Sequence, residues 1–331
     1  MRVYVTGGTG FVGSNIVKLY SDWHQLEVVC AGRRAPEREL AGKFVAADLL
    51  DPESVRQSVG ASEPDLLVHT AILNDFNEMY ANRKLAWDVY VEATRTLVDA
   101  ANEMGATFVY VSTDWVFDGT HPESDEDTPP NPINYYGVLK AAAELLVLER
   151  SNDPIVARVA GVNGMHWARP HSPRAQDPGF GHFVAALVDE LSAGKPFTVW
   201  ESELIGQRAT PSLASESAEM MLRLAQRGAR GIFHCCGGES TTRLELAQAA
   251  ADAFGLDQSL LQIGAPDPSG LLSAPVPVDT SLDARKTAAT IDYELPSVRA
   301  LLEEFRRQRE TGEIRPISAA AYDLKGRVQS T

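Results

Sequence analysis

A doubly wound α/β fold is what the sequence predicts: a parallel sheet with helices on both faces, plus a smaller mixed α/β lobe. Three observations carry it. Short apolar runs alternate with helix-like segments through the first half of the chain. The first such pair is joined by a glycine-rich turn, Thr6-Gly7-Gly8-Thr9-Gly10-Phe11-Val12-Gly13. A tyrosine and a lysine one helical turn apart, Tyr136 and Lys140, follow a strand that ends in a hydroxyl residue, Thr113.

In chain order, residues 3–5, 26–31, 43–47, 66–69, 108–112 and 155–159 read as buried parallel strands, because each is a short, nearly continuous apolar run. The glycine turn comes straight after the first strand. Ile16, Val17, Leu19 and Tyr20 follow it at helical spacing. Gly7 permits a sharp turn, Gly10 lets backbone come close to a pyrophosphate, and Gly13 lets the new helix pack on the strand. The helix start then turns its N–H groups and partial positive charge toward phosphates. Such a turn alone also closes ordinary loops. The strand before it and the helix after it make it a dinucleotide fingerprint of Rossmann type. Gly7, Thr9, Gly10, Phe11, Val12 and Gly13 are the cofactor candidates here.

The end of the second strand selects the cofactor. An acidic residue there bonds the ribose 2′-hydroxyl of NAD. This chain offers Gly32-Arg33-Arg34, with Arg38 nearby, and guanidinium groups suit a 2′-phosphate. NADP(H) is therefore expected, with NAD(H) second. Asp48-Leu49 follows the third strand, where a carboxylate can take the adenine amino group. Helix capping by Asp48 or Asp51 is the competing reading. After the fourth strand, Thr70 and Ala71 are small enough to let backbone pass beside a nicotinamide ribose. His69 reads as a packed residue. An amphipathic segment over residues 84–104, stopped by Gly105, predicts one long helix.

Tyr136 and Lys140 lie on one face of a helix. An ammonium beside a phenol lowers the phenol pKa, so Tyr136 can pass a proton to or from a carbonyl or alcohol oxygen. Thr113 can hold the same oxygen, and Lys140 can hold the nicotinamide ribose. Any helix can carry a surface Tyr and Lys. The glycine turn, the strand-end hydroxyl and the order of all three set this pair apart.

These residues resemble the extended short-chain dehydrogenase/reductase family. Its TGxxGxxG pattern matches residues 6–13, its YxxxK matches residues 136–140, and its catalytic Ser/Thr falls on Thr113. Ser112-Thr113-Asp114-Trp115-Val116-Phe117-Asp118-Gly119 is similar to the STDYVFDG of its dTDP-4-dehydrorhamnose reductase branch. Gly181-His182-Phe183-Val184, the run Gln207-Arg208-Ala209-Thr210-Pro211-Ser212 and Gly231-Ile232-Phe233-His234 agree with that branch. The resemblance implies an NADPH-linked reduction of a keto group on a nucleotide-activated deoxysugar or a related polar ketone. It implies substrate contacts from Thr113, Asp114, Trp115 and Arg208. Arg174 joins them as a positive charge in residues 166–182 that would suit a diphosphate, although a solvated loop explains that charge equally well. Three departures stand out: Tyr90 occupies the family's usual Asn position, residues 70–75 are atypical, and residues 163–179 form a longer loop. Dehydratases of similar fold carry Asp-Glu after the Thr. Asp114-Trp115 here disfavours elimination. A sugar-nucleotide epimerase with bound NAD(P) is one alternative. A non-catalytic NADP-binding regulatory subunit is the other, and the intact Thr113, Tyr136 and Lys140 argue against it.

Composition bounds the rest. The chain of 331 residues is 44% hydrophobic, enough for one large two-lobed unit. A formal net charge of −15 disfavours nucleic acid and anionic membranes as partners. A small-molecule substrate, a nucleotide sugar in particular, and a second copy of the chain in a homodimer are the partners expected. Cys30, Cys235 and Cys236 show neither a disulfide framework nor metal spacing, so no metal is expected and a reducing, cytoplasmic setting fits. A strand begins within a few residues of the first Met, so no signal peptide is expected. Residues 1–160 are read as the dinucleotide domain, 161–315 as a substrate lobe interleaved with the sheet, and 316–331 as a tail. Within the lobe, residues 183–191, 213–225, 244–254 and 296–309 predict helices, and 197–200 and 231–235 predict strands.

Overall fold

The computed structural model of the protein describes residues 1–38, 40–73, 75–169, 176–272 and 274–318. Arg174 and residues 319–331 of the tail lie outside the described residues.

Seven parallel strands form the main sheet: β1 (Arg2–Thr6), β2 (Glu27–Gly32), β3 (Lys43–Ala46), β4 (Leu66–His69), β5 (Thr107–Thr113), β6 (Pro154–Val159) and β7 (Gly231–His234). Their order is β7-β6-β5-β4-β1-β2-β3, with every pairing parallel. The apolar runs in the sequence follow from burial on both faces. Val3, Val5, Val28, Cys30, Leu66, Val68, Val109 and Val111 pack into one layer. Tyr4, Val29, Ala31, Leu67, Phe108 and Tyr110 pack into the other. Each fully buried Val or Leu is worth roughly 1.5–3 kcal/mol over the exposed state. β7 brings the second half of the chain back to the sheet.

The order reverses beside β1, which lies between β2 and β4. A doubly wound sheet has its ligand crevice there, at the carboxyl ends of the strands. The glycine turn leaves β1 at that edge, and Thr113 ends β5 at the same edge. β5 stands two strands from β1, about 10 Å away at ordinary strand spacing.

The expected long helix over 84–104 is interrupted. Arg83–Trp87 and Ala93–Met104 are α-helical, and Asp88–Glu92 between them is a π-turn. The Thr94 hydroxyl donates to the Tyr90 carbonyl at 2.6 Å, a side-chain bond that competes with the regular ladder. The π-turn carries Tyr90. A helix not foreseen, Pro52–Ser62, starts with proline and is capped by Asp51, which accepts from Glu53 and Ser54 N–H.

The second half builds its own core. The helices Phe183–Ser192, Arg243–Phe254 and Val298–Thr311 bury Phe183, Leu187, Leu246, Leu302 and Phe305 together. A small sheet, Thr241–Thr242, Arg208–Ala209 and Asp279–Thr280, lies beside them. Among the described residues no helix is long and apolar enough to cross a membrane. No group of three or more potential metal ligands occurs among them either.

Candidate active site

The glycine turn is sterically constrained at Gly7 and Gly13. Gly7 has φ +66°, and a Cβ there would lie 2.8 Å from Ala71 Cα and Thr70 Oγ1. A Cβ on Gly13 would lie 2.2 Å from the Gly7 carbonyl oxygen. The chain is folded back so tightly that only glycine fits, and the crevice side of the turn is bare backbone. Gly10 caps the helix Phe11–Lys18 in an extended conformation with no side-chain hydrogen bond at the helix start. That leaves an uncapped helix N-terminus at the sheet edge, the arrangement that receives a pyrophosphate. The residues present thus fit a dinucleotide. Thr9 and Val12 are half-buried beside the turn, and the Phe11 ring meets the His182 ring edge-on at 4.4 Å.

Arg33 and Arg34 are exposed on the loop after β2, and Arg38 follows. None of the three makes an ion pair with another described residue, so their guanidinium groups are open to an anionic ligand. Asp48 is exposed and accepts the Leu50 N–H at 3.1 Å, and Leu49 beside it is half-buried. Helix capping therefore belongs to Asp51, and Asp48 holds a local turn. Thr70 donates to the Thr6 carbonyl at 2.7 Å, and with Ala71 it is packed against the glycine turn. His69 is a packed residue, as expected. Its ring nitrogens meet Thr6 Oγ1 at 2.6 Å and Thr94 Oγ1 at 3.2 Å. Burial pushes its pKa down to about 3.

Tyr136 and Lys140 lie in the first turns of the helix Tyr135–Arg150. Asn134 caps it, accepting the Gly137 N–H at 2.9 Å. The helix start is pressed against the loop after β5, where a Cβ on Gly137 would lie 2.2 Å from the Trp115 carbonyl oxygen. That close approach sets the Tyr136 side chain near that of Thr113. Thr113 Oγ1 lies 2.9 Å from Asp114 Oδ1 and accepts the Trp115 N–H at 3.3 Å. The Tyr136 ring is walled by aromatic neighbours: Phe76 at 5.6 Å, Trp115 at 5.9 Å and Tyr90 at 6.0 Å.

Burial raises the Tyr136 phenol pKa, Thr113 opposes the rise, and the Asp114 charge adds to it. Lys140 Nζ donates to the Val111 carbonyl at 2.7 Å and lies 4.8 Å from the Tyr110 ring centre and 5.6 Å from that of Tyr90. Burial pulls its pKa down to about 7 against the opposing charge of Glu144. Burial thus favours the neutral phenol of Tyr136.

The family model described as "RmlD substrate binding domain" matches residues 1–310. The chain belongs to this family. Among relatives of this RmlD-type chain, "Methionine adenosyltransferase 2 subunit beta" of Rattus norvegicus is 30% identical over 86% of this chain and 81% of its own. A hypothetical dTDP-4-dehydrorhamnose reductase from Sulfolobus tokodaii is 26% identical, covering 90% of this chain and 97% of its own with TM-score 0.72. A Thermus thermophilus UDP-glucose 4-epimerase in complex with NAD is 25% identical, covering 92% of this chain and 99% of its own with TM-score 0.70.

Within this RmlD-type framework Trp115 borders the Tyr136 ring. Arg208 pairs with Asp279 in the small sheet, and its guanidinium meets Ser240 at 3.4 Å. Asp114 is nearly fully buried, and Thr113 Oγ1 lies 2.9 Å from its Oδ1.

Several residues that shape the site escaped the sequence reading. Glu144 takes Arg158 in a bidentate pair at 3.0 and 2.7 Å and accepts from Ser112 at 2.5 Å, all buried. This ties the Tyr136 helix to β5 and β6. Its signal was present, since residues 136, 140 and 144 recur at helical spacing. Asp177 accepts the Gly181 N–H at 3.1 Å, and Arg243 holds the Asp177 and Gly206 carbonyls at 2.8 and 2.6 Å. Nothing local in the sequence marks that contact.

Proposed function

We propose that this chain is an NADPH-dependent reductase of a keto group on a nucleotide-activated deoxysugar or a related polar ketone. The observation that carries the reading is Tyr136, walled by Phe76, Trp115 and Tyr90, at the sheet edge where Thr113 ends its strand and the bare glycine turn begins. Gly7, Gly10 and Gly13 with the first helix turn would hold the pyrophosphate, and Arg33 and Arg34 would hold a 2′-phosphate. Thr70 and Ala71 would border the ribose of the reacting ring. The bound dinucleotide supplies the hydride. Thr113 orients the substrate carbonyl oxygen, and Tyr136 gives its phenolic proton to that oxygen as it becomes an alcohol. Trp115 and Phe76 exclude water and offer flat faces to a sugar ring. Lys140 fixes the helix against β5 and supplies charge as the phenolate forms. The identity to the Sulfolobus tokodaii reductase supports this reading.

The test is NADPH absorbance with a panel of 4-keto sugar nucleotides and simple ketones. Consumption with a sugar nucleotide supports the reading, and none with any ketone refutes it. A second reading is a dinucleotide-binding subunit of another enzyme, favoured by the 30% identical relative named as a methionine adenosyltransferase subunit. Stable co-elution with a methionine adenosyltransferase, together with no NADPH consumption, would select it.

A further inference from the structure

We propose that Asp177 reads the hydroxyl groups of the substrate's ring, as an acceptor placed beside the indole of Trp115. This rests on the reductase reading and deepens it, by naming the residue that tells a polyhydroxylated sugar from a plain ketone.

Asp177 lies in the segment before the helix Phe183–Ser192, where Asp177-Pro178-Gly179-Phe180-Gly181 packs against Trp115. A Cβ on Gly179 would lie 2.8 Å from Trp115 Cζ2 and 3.4 Å from Cε2, the carbon that carries the indole N–H. The same point is 3.4 Å from Asp177 Oδ1. Carboxylate and indole edge therefore flank one patch of bare glycine backbone. The Trp115 ring also meets Tyr136 at 5.9 Å and Phe76 at 6.1 Å. A sugar ring with its keto carbon at Tyr136 and one face on Trp115 turns its remaining hydroxyls toward that patch.

The segment is held firmly from behind. Arg243 is only 1% exposed. It donates Nε to the Gly206 carbonyl at 2.6 Å and Nη2 to the Asp177 carbonyl at 2.8 Å, with its guanidinium 4.8 Å from the Phe180 ring centre. The Gly206 N–H donates to the Pro178 carbonyl at 2.8 Å. Two loops distant in sequence are thus fastened into one wall, and Asp177 sits on it.

The Asp177 carboxylate keeps acceptor sites for a ligand. Its Oδ1 accepts the Gly181 N–H at 3.1 Å. Arg243 gives its bonded nitrogens to main-chain carbonyls and not to the carboxylate, and Asp177 makes no ion pair among the described residues. A carboxylate offers about four lone-pair sites, and taking one out of water is costly unless donors fill them. Asp177 and Trp115 are both half-buried, so a ligand can reach them. The Trp115 side chain donates to no described residue, so its N–H stands as a donor beside this acceptor. A hydroxyl both donates and accepts, and it matches the pair. A ketone without hydroxyls has no proton to give the carboxylate.

The experiment is calorimetry on the full chain in the presence of NADP, comparing dTDP with dTDP-glucose and UDP with UDP-glucose. In wild type the sugar should tighten Kd by roughly 10- to 100-fold, the worth of one or two hydrogen bonds to a charged group. Asp177→Asn keeps an oxygen for the Gly181 N–H and should lose most of that advantage, with Kd for dTDP and UDP unchanged. The emission of Trp115, taken as the difference from Trp115→Phe, should be the same in Asp177→Asn as in wild type. No tightening by either sugar in wild type overturns the proposal, and so does tightening that survives in Asp177→Asn. An advantage lost together with a shifted Trp115 emission assigns Asp177 to loop structure and overturns it as well. An advantage lost with emission unmoved, and no NADPH consumed on any ketone, supports the hydroxyl contact and refutes the reductase reading instead. NADPH consumption on a 4-keto sugar nucleotide with KM unchanged in Asp177→Asn does the reverse.

Discussion

Lys140 Nζ lies 2.7 Å from the Val111 carbonyl oxygen, so the lysine is anchored to the strand behind the site and not to the phenol one turn before it. A buried ammonium with its pKa drawn down to about 7 has a consequence for stability. The unfolded lysine keeps its proton up to its ordinary 10.5, while the folded one releases it above about 7. Between those values the unfolded state binds more protons, so this group makes stability rise with pH, and the gain is lost as pH falls through the folded value. Lys140→Met should remove that rise. Urea midpoints of both proteins at several pH values across the window will show it.

Glu144 is the counter-charge to a fully buried Arg158. Removing one member of such a pair leaves an uncompensated charge and costs about 3–5 kcal/mol. Glu144→Gln should therefore lower the denaturation midpoint sharply. It should also loosen the Tyr136 helix, visible as faster amide exchange at Gly137 and Leu139.

Gly13→Ala would place a Cβ 2.2 Å from the Gly7 carbonyl, backbone that cannot swing aside. The turn must deform. Dinucleotide Kd should rise by roughly tenfold or more, about 1.4 kcal/mol per tenfold, in a fluorescence titration with NADPH.

Arg33 and Arg34 test the cofactor preference. A hydrogen bond to a charged group is worth about 1.5–3 kcal/mol. The double change to Ser should raise KM for NADPH by roughly 10- to 100-fold and leave KM for NADH nearly unchanged. The NADPH affinity of wild type should also weaken with added salt, and that of the variant much less.

Much of this architecture was legible because its causes are local. A strand buried on both faces announces itself as an apolar run, and β4 falls at the four residues expected, Leu66–His69. The glycine turn was legible because its steric demands are met by residue type alone. The break at Asp88–Glu92 was not, since it depends on where the Thr94 hydroxyl turns. Helical spacing placed Tyr136 and Lys140 on one face but could not say which acceptor the ammonium would choose. The pairing of Arg208 with Asp279 was not legible either, since it joins segments distant in sequence.

The most direct test of the central claim is kcat for Tyr136→Phe, with NADPH binding measured on the same preparation. The account predicts a fall of roughly 100- to 10,000-fold with cofactor affinity retained, since the ring stays packed among Phe76, Tyr90 and Trp115. Turnover equal to wild type would contradict it.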